Sequence, residues 1–285
     1  MVLAAVGQIC STASMSHNLA QCRTVIQKAV AAGAKTLFLP EASDYIGSSP
    51  DESRSLCKPV SSSPFVLGLQ DEARRHRLPI NVGIHEPSND PKKLRNTLVH
   101  ISEEGKITQR YQKLHLFDLD LSDSGGPKMK ESDTTEAGSS IIPPFDSPVG
   151  KIGMAICFDL RFPELSLALK RQGADMIIYP SAFTPPTGKV HWHALLRARA
   201  IETQSYILAA AQVGAHNEKR TSYGHSIIIS PWGEVIAELP GPEDKEQRGD
   251  SWEPEIIVAD IDHELLAKIH REMPLIRRTD VYPEV

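Results

Sequence analysis

The chain of 285 residues contains only four cysteines, Cys10, Cys22, Cys57 and Cys157, and no two form a C-x-x-C pair. Neither a zinc knuckle nor a disulfide framework is indicated. Long apolar runs are missing as well, none approaching the ~18 residues of a membrane-spanning helix. The N-terminal Val2-Leu3-Ala4-Ala5-Val6-Gly7-Gln8-Ile9 has no basic stretch and is too short for a secretion-signal core. No charge of one sign dominates: 24% of residues are charged, both signs are interspersed and the net is −5. That balance excludes a basic stripe for nucleic acid and a polybasic patch for membranes. The expectation is a soluble, cytoplasmic protein, with a mitochondrial pool as the alternative. An acidic small-molecule substrate would then be met by local basic groups.

Strand-like runs recur at Leu3–Ile9, Thr36–Leu39, Ile80–His85, Thr97–Ile101, Ile107–Tyr111, Ile152–Cys157, Met176–Tyr179, Tyr206–Ala211, Ser226–Ser230 and Ile256–Ile261. Helical spacing lies between several of them. From Asn18 to Gly33 the apolar residues follow the i, i+3, i+4 rule and Gly33 suits the stop. Ser63-Pro64 opens a second helix toward Leu78 in N-cap and N1 style. Further helices are expected over Pro163–Gln172, His191–Gln204 and His263–Met273. Alternation of strands and helices argues an α/β protein, with hairpins at 97–111 and 226–239. No repeat or linker divides the chain, so residues 1–285 are expected to form one domain. Three loops, Ser43–Ser63, Asp118–Ser140 and Pro240–Pro254, are long enough to wall or cover a site.

Cys157 ends the apolar run Lys151–Cys157 and is followed by Phe158-Asp159-Leu160-Arg161-Phe162-Pro163-Glu164. A thiol between a strand and the opening of a helix meets backbone N–H groups that favour thiolate, the form that attacks carbonyl carbon. The alternative is a packed core cysteine. Glu41 ends Thr36-Leu37-Phe38-Leu39-Pro40-Glu41, where partial burial can raise a carboxyl into general-base range. Lys113 ends the second strand of the first hairpin, where an ammonium can stabilise thiolate and then an oxyanion. Glu41 and Lys113 alone each read as an ordinary surface residue; with Cys157, three groups at separate strand ends point to one site.

The segments Phe38–Glu41, Tyr111-Gln112-Lys113-Leu114-His115-Leu116 and Cys157–Glu164 resemble the glutamate, lysine and cysteine motifs of the nitrilase superfamily. Similarity continues through Tyr179–Phe183, His191-Trp192, Leu196–Glu202 and Tyr223–Ser226 to Pro231-Trp232-Gly233. Within the superfamily, Pro40–Tyr45, Leu114–Asp118 and Arg161–Leu167 resemble the deaminated glutathione amidase branch. The resemblance implies an α-β-β-α four-layer sandwich, no cofactor and no metal, and pairing into homodimers or larger homo-oligomers. A C-terminal segment, about 262–285, would serve packing or dimerisation.

The same resemblance implies Glu41 as general base, Lys113 as oxyanion cation and proton donor, and Cys157 as nucleophile. The backbone N–H of Phe158 would be a second oxyanion donor. A second glutamate falls at Glu131, in Met129-Lys130-Glu131-Ser132, with Glu136 as its neighbour and competitor. Arg161, Phe183 and Thr187 would bind the α-keto acid end of an anionic amide, although Arg161 could instead pair with Glu164 or Glu202. The reaction implied is hydrolysis of deaminated glutathione to 2-oxoglutarate and cysteinylglycine. Two positions depart from the branch: Phe158 replaces a frequent tyrosine and His193 a frequent glutamate. His191-Trp192-His193 reads as packing, because HxH on a helix sets the rings about 200° apart. Alternatives are an ω-amidase or other hydrolase of this fold, a Cys-His thiol hydrolase using His225, and a non-catalytic binding protein.

Overall fold

The computed structural model describes residues 2–120, 122–124, 128–242 and 252–283. Helix α1 (Met15–Ala31) begins earlier than its apolar pattern, because the Ser14 hydroxyl accepts from the His17 amide. The Ser-rich loop hides α2 (Pro50–Leu56), capped by Ser49 with Pro50 in its first turn. Helix α3 (Pro64–His76) starts at Ser63-Pro64 as expected. Helix α4 spans Pro163–Arg171. Helix α5 (Pro185–Thr203) opens six residues before His191, so the Pro185-Pro186 pair starts the helix. Proline is tolerated there, since first-turn amides have no intrahelical acceptor. Helix α6 (His263–Glu272) closes the set.

Two sheets lie between these helices. The first runs in the order β16 (Glu255–Asp260), β1 (Leu3–Gln8), β2 (Thr36–Phe38), β3 (Ile80–Pro87), β4 (Leu94–Ile101) and β5 (Ile107–Gln112), with β8 (Thr135–Glu136) also on β4. β1, β2 and β3 are parallel, and the outer pairings β1–β16, β3–β4 and β4–β5 are antiparallel. The second sheet runs β15 (Val235–Glu238), β14 (Ile227–Ile229), β11 (Tyr206–Ala209), β10 (Met176–Ile178) and β9 (Ile152–Met154), parallel from β9 to β11. Two small hairpins stand apart, β6 (Asp118–Asp120) with β7 (Lys128–Lys130) and β12 (Val213–Asn217) with β13 (Arg220–Tyr223).

Side-chain alternation along the strands builds four layers. In β1, Ala4 and Val6 join the core that meets the second sheet, whereas Ala5 joins the core under α1 and α3. Phe38 and Leu98 face inward in the same way, with Leu37 and Val99 facing the helices. Beyond the second sheet lie α4 and α5, with Leu165, Leu169, Trp192 and Leu196 in that core. The architecture is therefore an α-β-β-α sandwich. No described helix is long and apolar enough to cross a membrane.

The C-terminal segment divides in two. Leu266 and Ile269 of α6 are buried, whereas Leu275, Ile276, Val281 and Tyr282 are exposed. Of the loops, Asp118–Ser140 is partly ordered by β6, β7, β8 and two 3-10 turns. Most of Pro240–Pro254 lies outside the described residues.

Phe65 is fully buried on α3, in the helix-facing core away from the second sheet. Phe65→Ala is expected to lower unfolding stability by about 3–5 kcal/mol, read as a shift in the urea midpoint. Catalytic efficiency of the folded fraction should be retained.

Candidate active site

The nucleophile position is made by a forced turn. After β9 the chain enters a 3-10 turn, Cys157–Arg161, with Cys157 at φ +46°, a left-handed conformation that costs a non-glycine residue about 1–3 kcal/mol. Asp159, fully buried, holds that turn in place. Its Oδ2 accepts from the Ile156 amide at 2.9 Å and from the Tyr111 hydroxyl at 2.7 Å. Its Oδ1 lies 3.0 Å from the His115 amide and 2.7 Å from His115 Nδ1. The Cys157 amide donates to Pro180 O at 3.0 Å, tying the turn to the end of β10.

Glu41 lies three residues past β2, also at the C-terminal end of a parallel strand, where ligands are commonly met in open α/β sheets. Gly83 in β3 permits this path, since a Cβ there would sit 2.5 Å from Glu41 Cα. Gln212, just past β11, donates to the Glu41 carbonyl at 3.0 Å and to Ser11 Oγ at 2.8 Å, fastening the two sheets together. The carboxylate is fully occupied. Oε1 accepts from Lys113 Nζ at 2.9 Å and Asn96 Nδ2 at 2.7 Å, and Oε2 from the Ala182 amide at 2.9 Å. The Cys157 thiol lies close enough to contribute to its ionisation.

Lys113 follows β5 directly and is buried. Besides Glu41 it meets both carboxylate oxygens of Glu131, at 3.2 and 3.0 Å. Glu131 is fixed in turn by the Phe117 amide at 2.7 Å and by Asn96 at 3.3 Å. Glu136, the competitor, is engaged elsewhere, with Ser88 and Arg95.

Glu41, Lys113, Glu131, Cys157, Phe158, Arg161, Phe183 and Thr187 line one cavity of about 550 Å³. Arg161 makes neither of the ion pairs considered for it. Glu202 pairs with Arg199 at 2.7 Å, and the Arg161 guanidinium lies 3.1 Å from His191 Nδ1. It sits over the faces of Phe158 and Phe183, at 5.4 and 5.7 Å. Thr187 shares a 2.9 Å hydroxyl contact with Thr184 in the first turn of α5. His225 does not line the cavity, whereas the Glu41 carboxylate does.

The sequence profile described as carbon-nitrogen hydrolase matches residues 3–271. The chain belongs to the carbon-nitrogen hydrolase family, the nitrilase superfamily. A probable hydrolase, nit2, of Schizosaccharomyces pombe is 46% identical, covering 100% of both chains. The deaminated glutathione amidase of Bos taurus is 42% identical over 98% of this chain and 83% of its own length. The crystal structure of the C. elegans NitFhit protein superposes with a TM-score of 0.88 at 36% identity, covering 99% of this chain and 66% of that one.

Charge in the hydrolase site is distributed differently from the sequence expectation. Burial pushes the Cys157 thiol well up and the neighbouring Glu41 charge pushes it further, outweighing Lys113. The resting sulfur is therefore a protonated thiol, not a thiolate. Glu41 was expected to be raised. Burial does push it up, but the Lys113 charge, hydrogen bonds from Lys113 and Asn96 and the nearby Cys157 thiol carry it below the ordinary carboxyl value. For Lys113, burial favours the neutral amine, yet Glu131 and Glu41 together hold it charged well above the usual range. Sequence reading had assigned no role to Asn96, Asp159 or Gln212. Asn96 and Gln212 lay just beyond the strand runs read from apolar pattern, and Asp159 stood unremarked inside the cysteine motif.

Glu41 thus contributes stability as a carboxylate above about pH 4.3, lost as pH falls through its lower folded value. Lys113 works oppositely: its contribution is present below about pH 10.4 and lost as pH rises through its higher folded value. Asn96→Ala removes one donor from Glu41 and should move the acid limb of kcat/KM to higher pH. An unmoved limb would contradict the assignment.

Proposed function

We propose that this hydrolase cleaves the amide bond of deaminated glutathione through a thioester on Cys157. Arg161 carries the substrate reading. Its guanidinium lies in the cavity with no carboxylate partner among the described residues, framed by two aromatic faces. Such a group grips a carboxylate bidentately. In this reading it takes the carboxylate of the substrate's α-keto acid end, with Phe183 and Thr187 shaping the surrounding wall. The 42% identical relative named deaminated glutathione amidase supports the same substrate.

The chemistry then runs through the buried trio. Glu41 accepts the thiol proton as sulfur attacks the amide carbonyl, so ionisation of sulfur and formation of the C–S bond proceed together. Negative charge moves to the carbonyl oxygen, where the Lys113 ammonium and the backbone N–H of Phe158 hold it. Collapse breaks the C–N bond, and the amine departs with the proton returned by Glu41. Water then attacks the thioester and gives a proton to Glu41. The second collapse releases the carboxylic acid and restores the thiol. Glu131 keeps Lys113 charged and aimed throughout.

Two measurements test this. The purified hydrolase should release 2-oxoglutarate from deaminated glutathione; failure to do so while hydrolysing other amides would overturn the substrate reading. Arg161→Ala should raise KM for that substrate about 10–100-fold, the loss of one charged hydrogen-bonded contact, with kcat changed much less. Equal loss in kcat alone would contradict a binding role.

A further inference from the structure

Outside the cavity, three side chains from separate segments converge: His193 on α5, His225 between β13 and β14, and Glu238 at the end of β15. Their ligand atoms all lie within 4.8 Å of one another. His193 Nε2 stands 2.7 Å and His225 Nδ1 2.6 Å from the same carboxylate oxygen, Glu238 Oε1. None of the three lines the catalytic cavity. We propose that this cluster binds one divalent transition ion of the zinc class, held by two imidazoles and a carboxylate.

The donor set suits such an ion, and three protein ligands leave a fourth position for water. Water can reach it, since the side chains of His193 and Glu238 are 36% and 28% exposed. Four-coordinate ligands about 2.1 Å from an ion stand about 3.4 Å apart. The two N···O gaps therefore open by under about 1 Å while the two nitrogens draw together. The ion takes the place of the ring protons now directed at Glu238, each neutral imidazole carrying its proton on the other ring nitrogen.

Neighbouring groups already orient the rings. The His225 ring lies 4.4 Å from the Tyr223 ring, and its Nε2 is packed so closely on Gly241 that a Cβ there would overlap it, leaving Nδ1 to face the cluster. The His225 carbonyl accepts from Trp192 Nε1 at 2.8 Å, fixing its turn to α5. His191, two residues before His193, faces Arg161 instead, so HxH is not the ligand pair. The ion would clamp α5 to β15 and the β13–β14 connection. That region abuts the cavity wall, because the Tyr223 amide donates to Phe183 O at 2.8 Å.

The test uses the full chain carrying Cys157→Ala, so that the nucleophile cannot bind metal, stripped by chelator and titrated with Co²⁺. The expected result is one equivalent bound, with visible bands of a four-coordinate nitrogen–oxygen site, displacement by Zn²⁺ and a higher thermal midpoint. Second-shell changes already cost metal sites about 10–100-fold, so removing a ligand by His193→Gln, or separately by Glu238→Gln, should weaken binding at least about tenfold. Absence of the bands would overturn the site, as would affinity unmoved by both substitutions. Thiolate charge-transfer absorption would overturn it too, placing the ion at a cysteine such as Cys10, whose sulfur lies 3.8 Å from His216 Nδ1.

Discussion

One buried ammonium between two carboxylates governs this site. Lys113 is held at 2.9 Å from Glu41 and 3.0 Å from Glu131, nearly out of reach of water. Two negative charges face one positive charge, so the trio carries an excess electron charge beside the sulfur. A buried ion pair lacking one partner is strongly unfavourable, and the two glutamates hold Lys113 charged while Lys113 holds Glu41 below the ordinary carboxyl value. Beside this trio, burial pushes the Cys157 thiol well up and the Glu41 charge pushes it further, against the pull of Lys113. Reactivity is kept until a carbonyl is present to receive the charge. In the proposed mechanism the ammonium is already placed where an oxyanion would develop, without reorganisation at the moment of reaction.

The fold supplies this arrangement by ending strands of both sheets at one place. Glu41 follows β2, Lys113 follows β5 and Cys157 follows β9, while Ala182 and Gln212 lie past β10 and β11. Sheet-to-sheet packing brings those ends together, and a few polar side chains set their distances. Gln212 fastens the Glu41 backbone to the second sheet, Asn96 spans Glu41 and Glu131, and Asp159 stabilises the left-handed turn at Cys157. Backbone strain at the nucleophile is thus offset by a buried carboxylate whose acceptor positions are filled by neighbouring segments.

Strand and helix periodicity made an α/β protein legible; its α-β-β-α layering came only from the resemblance of the three strand-end motifs to the nitrilase superfamily. Glu41, Lys113 and Cys157 stood out because each places a polar or reactive group where an apolar run stops. Boundaries were less visible where a single residue decides them: Ser14 and Ser49 extend or create helices by capping, and Pro185-Pro186 begins α5 six residues before His191. The ionisation state at the nucleophile could not be read locally. A strand-to-helix junction and a nearby lysine both favour thiolate, but burial and the charge of Glu41, 116 positions earlier in the chain, outweigh them. Likewise His193 meets His225 and Glu238 only through the packing of α5 on the β14–β15 hairpin, a relation no spacing within the helix reveals.

The most direct measurement is intact-protein mass spectrometry during turnover, followed by peptide mapping. The account requires a transient adduct with the mass of the substrate's acyl half, confined to Cys157 and absent in Cys157→Ala. Glu41→Gln should form it far more slowly, because no carboxylate remains to take the thiol proton. Turnover without any acylated protein, or an adduct on another residue, would contradict it.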